Sequence, residues 1–216
     1  MKLFVRSLAV LACAFAVSCN TEEKPRQAAP APVSHKITPP FRFHKAVEVK
    51  PGLTFDILSW GRGSEYTGAY LILRSDSAEA KYKSTTGELE GTIIDAWNMD
   101  MDSDGNPEIF IQAKGEDKDN YLNMYIYEFT EGGSSQQLRF PDLTSSTKKT
   151  YRGKDSVFIK EGNLFREFPT YEESDTSAVN PTGKKLLEYT LRGNSFSVKE
   201  IKEEDKKEDS GTDKKK

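Results

Sequence analysis

Histidine is nearly absent from this sequence. Of its 216 residues only His35, in the expected tether, and His44, at the edge of the expected domain, are histidine. A Ser-His-Asp triad, a Cys-His pair or a histidine-based zinc site therefore has no material. Cysteine is as scarce: Cys13 and Cys19 are the only two, and a chain cut between them has no partner with which to close a disulfide. A glycine-rich, lysine-terminated phosphate loop is missing too. Gly61-Arg62-Gly63 is the nearest approach, and it reads as a turn between strands. The formal charge of -3 offers no basic footprint for nucleic acid. There is no sustained 3.6-residue apolar stripe and no repeat of fixed period. What remains, 36% hydrophobic and 30% charged residues, suits one globular core and is too polar for a membrane bundle.

The one long apolar run, Leu8 to Val17, follows Lys2 and Arg6 and has the form of a secretory signal. Cys19 stands after Ala16-Val17-Ser18, which resembles the cleavage box of bacterial lipoproteins, where the new N-terminal cysteine is acylated and held to a membrane. Plain secretion with a chance cysteine is the rival reading. The expected organisation is a signal peptide over 1–18, a flexible Pro-, Ala- and charge-rich tether over 19–44, one domain over 45–202, and a charged disordered tail over 203–216. The expected location is the bacterial cell envelope, lipid-anchored, on the periplasmic or surface face of an outer membrane.

Within the domain, short β-type runs alternate with turn signals. "GTIIDAW" and "EIFIQAK" form a hairpin, and "YLNMYIYEF" is apolar on both faces and predicts a central strand. "SVFIK" and "LFREF", joined by Glu161-Gly162-Asn163, and "KLLEYTL" and "SFSVKEI", joined by Arg192-Gly193-Asn194, predict two tight hairpins. The fold class is all-β: a single antiparallel β-sandwich of two layers, or a flattened barrel. Trp60, Trp97, Tyr125, Tyr127, Phe165 and Phe168 are assigned to its core rather than to a carbohydrate surface.

The motif with the most chemistry is "DMDSDGNPE". Asp100, Asp102, Asp104 and Glu108 put carboxylate oxygens at positions 1, 3, 5 and 9 of a loop, with Gly105 at 6, a pattern suited to Ca²⁺. Ile111 at position 12 and a following strand separate it from an EF-hand. The competing reading is an Asp-rich turn whose side chains cap their own backbone. No other cofactor is expected, and a carboxylate pair for glycoside chemistry has no visible cleft, so no enzymatic activity is expected.

A set of ordered features carries a family resemblance: Gly105 to Glu108, then Arg166, Phe168, Pro169 and Tyr171, then Asp175-Thr176, then Pro181-Thr182-Gly183 before a last hairpin. Over roughly Glu48 to Ile201 the chain resembles the periplasmic inhibitors of invertebrate-type lysozyme. The resemblance implies an antiparallel β-sandwich, a lysozyme as protein partner, and a loop inserted into the lysozyme cleft. The matching loop is Lys114 to Tyr121, with Lys114, Gly115, Lys118 and Tyr121 as the partner-binding residues. Glu116, Asp117 and Asp119 stand where the family carries serine, so the loop is either a binding loop or a solvated hairpin end. The alternative function is a non-inhibitory, protein-binding envelope module with a structural calcium loop.

Overall fold

The computed structural model describes residues 37–116 and 121–202. The signal segment, Cys19, most of the tether, Lys118 and the tail from 203 lie outside the described residues. Twelve strands are arranged as three antiparallel meanders. The first sheet holds β1 (Phe41–Lys50), β2 (Leu53–Trp60), β3 (Thr67–Asp76) and β4 (Lys81–Glu90). The second holds β5 (Thr92–Met99), β6 (Glu108–Lys114), β7 (Leu122–Phe129) and β8 (Ser135–Leu138). A one-turn helix, α1 (Ser145–Thr150), precedes the third, made of β9 (Ser156–Lys160), β10 (Asn163–Thr170), β11 (Gly183–Arg192) and β12 (Ser195–Ile201).

The all-β class expected from the sequence is present, but as three sheets rather than two layers, and among the described residues no sheet closes into a barrel. The reason lies in the second sheet, which is apolar on both faces. In β6, Ile109, Ile111 and Ala113 pack into one core with Phe55, Ile57, Tyr70 and Ile72 of the first sheet. Phe110 points the other way, into a second core with Ile126, Leu164, Phe168, Leu187 and Tyr189. Alternating side chains of one strand thus serve two cores, and all residues from Glu108 to Ala113 are buried. A sheet with one wet face could not do this. Each fully buried Ile or Phe contributes about 1.5–3 kcal/mol relative to exposure.

β7 repeats the division, with Tyr127 and Phe129 in the first core and Ile126 in the second. In β5 a register shift between Ile93 and Asp95 interrupts the alternation. Ile93 and Ala96 consequently share the first core, while Met99 joins the second and Trp97 packs against it.

Both tight hairpins are present. Their turn residues, Glu161-Gly162 and Gly193-Asn194, have φ of 52°, 80°, 45° and 62°, the left-handed pair that matches strand twist. β1 begins at Phe41, so Phe41 to His44, given to the tether by composition, are strand.

The aromatic assignments divide. Tyr127 and Phe168 are core, Tyr125 is half-buried, and Trp97 stacks on Phe110 with centroids 5.5 Å apart. Trp60, the last residue of β2 and the register partner of exposed Phe41, is 46% exposed, and so is not core. Phe165 is half-buried and stacks on exposed Phe158 at 5.5 Å.

Candidate functional site

The β5–β6 hairpin builds the acidic loop from its backbone outward. Met99 and Glu108 are the last register pair, and the chain between them curls, with Ser103 at φ 59° and Gly105 at φ 87°. Only glycine adopts the second value without strain, so the Asp-Gly step makes the bend. Asp100 accepts hydrogen bonds from the backbone N–H groups of Asp104 (3.1 Å) and Gly105 (3.2 Å), and Asp104 accepts from that of Asn106 (2.8 Å). To this extent the loop is the self-capping turn that Asp-rich sequences favour.

Self-capping does not account for all of the carboxylates. One oxygen from each of Asp100, Asp102, Asp104 and Glu108 lies within 4.8 Å of the others. Oxygens bound to one Ca²⁺ at 2.3–2.6 Å lie within about 5 Å of one another, so the cluster has the dimensions of a single ion's shell. Glu108, 0% exposed, forms its floor. Its Oε2 accepts from the Met101 backbone N–H at 2.8 Å, whereas its Oε1 is buried without a hydrogen-bond partner, as is Asp102 Oδ1. A buried, unpaired carboxylate oxygen is costly. Burial pushes the Glu108 carboxyl up to about 7 against the pull of the Met101 N–H, and Asp102, Asp100 and Glu128 add to the rise. A dication at the centre of the four oxygens would reverse that balance.

Glu128 is a functional candidate that the sequence reading missed. It is the register partner of Glu108 on β7, it is 7% exposed, and its Oε2 is buried without a partner. Burial raises its carboxyl above the usual range, with Asp104 and Asp102 adding to the effect. Beside the loop, a groove of about 330 Å³ lined by Asp104, Asn106 and Glu131 reaches the buried Arg74–Asp76 pair, whose N–O distance is 3.1 Å.

The second candidate loop joins β6 to β7. Lys114 is exposed, and the Gly115 N–H donates to the Tyr121 carbonyl at 2.8 Å, closing the hairpin at its mouth. Tyr121 turns inward, edge-on to Tyr151 with centroids 5.2 Å apart, and packs against the second core. Lys114, Gly115 and Tyr121 are thus brought together at the base of the loop, while Lys118 is outside the described residues.

The fold and site define an all-β protein with a middle sheet that packs into a core on each face and a four-carboxylate cluster at one hairpin of that sheet, with Glu128 beside it on β7. Comparison with protein-family models, with curated proteins and with solved structures gave no match for this chain.

Proposed function

We propose that this protein is a non-enzymatic, protein-binding module of the bacterial envelope, tethered through acylated Cys19 and braced by a calcium ion held by Asp100, Asp102, Asp104 and Glu108. The observation that carries the calcium part is the fully buried Glu108, whose Oε1 is unpaired and one of whose oxygens lies within 4.8 Å of an oxygen of each of three aspartates. Exposed Asp clusters are common, but a buried, unpaired acid at the base of one has a cost that a cation removes. Burial also pushes the Glu108 carboxyl up into the range used by general acids. A general acid must touch its substrate, however, and a residue with no exposed surface offers none. Calorimetric titration of the purified chain with calcium is expected to give one site with Kd near the extracellular range of about 10⁻⁴–10⁻³ M. Absence of binding heat in millimolar calcium, with the same result by equilibrium dialysis, would sink the calcium reading.

A second reading, inhibition of an invertebrate-type lysozyme, is favoured by one feature: the Gly115–Tyr121 hydrogen bond holds both matched loop residues at the mouth of the β6–β7 hairpin. The expected result is that micromolar protein slows such a lysozyme on cell walls and that Lys114→Glu weakens the effect. An unaltered lysis rate removes the inhibitor reading and leaves the calcium site intact.

A further inference from the structure

A cavity lies away from the acidic loop, sharing no residue with it. It has a volume of about 700 Å³ and is cut into the rim of the second core. Five segments line it: the start of β7, the β8–α1 connection, the end of α1 with Tyr151 and Arg152, Arg166 on β10, and Thr176 in the β10–β11 connection. A cavity of about 300–1,000 Å³ with an apolar wall and a few convergent polar groups is the usual form of a small-molecule site.

The wall and the floor differ in chemistry. Met124, Phe140 and Leu143 are half-buried and lean against the second core, leaving apolar surface toward the cavity. Below them Arg166 is 5% exposed, with its guanidinium carbon 5.1 Å from the Tyr151 ring centre. Its Nε donates to Asp155 at 2.6 Å, so its charge is balanced from behind.

Arg152 is different. Its guanidinium donates to the backbone carbonyls of Lys149, Tyr151, Glu173 and Asp175, at 2.7–3.3 Å. These bonds fix its position but cancel none of its charge, and among the described residues it has no carboxylate partner. Lys148 adds a second cation, which shares Asp142 with Arg139. Three cations and one acid, Asp142, therefore line the cavity. With Asp155 balancing Arg166, its field remains positive.

We propose that this cavity binds a small anionic amphiphile, a molecule with an apolar or planar body against Met124, Phe140 and Leu143 and a carboxylate or phosphate head toward Arg152 and Lys148. A neutral apolar ligand would leave the fixed Arg152 charge unused. A polyanion without an apolar body would leave the wall wet. The site is independent of the calcium reading, since it shares no residue with the acidic loop.

The test uses the full chain and two fluorescent probes, anionic 8-anilinonaphthalene-1-sulfonate and neutral N-phenyl-1-naphthylamine. The anionic probe is expected to bind saturably. Lys148→Glu, at an exposed position that leaves the fold intact, is expected to weaken it roughly fivefold, the scale of one exposed charge interaction, and to spare the neutral probe. Leu143→Trp, which fills the cavity, is expected to abolish both, with melting curves confirming that each variant is folded. Displacement of the anionic probe by decanoate or by decyl phosphate supports the proposal and identifies the head group. Displacement by neither overturns it, as does anionic-probe binding that survives Leu143→Trp or is indifferent to Lys148→Glu.

Discussion

Asp155→Ala is expected to lower the stability of this protein by about 3–5 kcal/mol, the range for removing one partner of a buried ion pair. For a domain of this size that is a fall in Tm of roughly 6–20 °C. Asp155 and Arg166 have side chains 2% and 6% exposed, and they meet at 2.6 Å. The other Asp155 oxygen accepts from the Tyr151 hydroxyl at 2.5 Å, so both carboxylate oxygens are used. Burial pushes the Arg166 guanidinium down, and Asp155, Tyr151 and Tyr189 more than offset it, leaving a cation firmly protonated inside the second core. Alanine would leave that cation without its counter-charge between the rings of Tyr151 and Phe168. The double variant Asp155→Leu with Arg166→Met removes both charges and is expected to be more stable than Asp155→Ala alone. Urea melts of the set give the answer. Should Asp155→Ala cost less than about 1 kcal/mol, the pair is solvated and carries no such weight.

That network also shows where sequence reading stops. Arg166 was visible as a strand residue within a recognisable segment, but nothing in its spacing announces Asp155 eleven positions earlier or Tyr151 beyond it. Tertiary register decides such meetings. Glu128 is a second case: its own neighbours are Tyr127 and Phe129, and only the β6–β7 pairing sets it opposite Glu108. By contrast the four-carboxylate cluster was legible, because loop spacing alone fixes which oxygens converge. The Glu161-Gly162 and Gly193-Asn194 turns were legible for the same reason, since their φ requirements are local.

Whole elements were lost where burial is slight. β4 buries only Leu89 among ten residues and, apart from Tyr82 and Gly87, otherwise shows Lys, Ser, Thr and Glu, so its composition is close to that of a loop although its pairing is that of an edge strand. β1 buries only Val47 and merges in composition with the residues before it. The number of layers was hidden as well. "YLNMYIYEF" revealed a strand with two apolar faces, but two such faces demand a sheet on each side only when the neighbouring β6 shows the same property. "EIFIQAK" has that property, but its buried Glu108 and Gln112 disguise a run that is covered on both sides.

Calcium is expected to flatten the pH dependence of stability, and Glu108 is the residue that decides it. Without the cation, the folded protein holds the Glu108 proton up to about 7, against an ordinary value of 4.5. Between those values the folded state binds a proton that the unfolded chain has released, so the Tm of the cation-free protein falls as pH rises through the window. A calcium ion needs the carboxylate and must displace that proton, so its stabilising effect is small near pH 5 and grows toward pH 8. With Kd near the extracellular range, about 10 mM calcium at pH 8 adds roughly 1.4–2.7 kcal/mol, a rise in Tm of roughly 3–10 °C. Glu108→Gln is the discriminating variant, because the amide oxygen can still accept from the Met101 N–H while the charge is gone. It is expected to flatten the cation-free pH dependence and to remove most of the calcium response. Asp100→Ala would be a poorer choice, since Asp100 caps the Asp104 and Gly105 N–H groups whether or not a metal is bound. A wild-type Tm at pH 8 that is the same in calcium and in chelator, with Glu108→Gln indistinguishable, returns the loop to a self-capping turn whose buried glutamate is simply protonated.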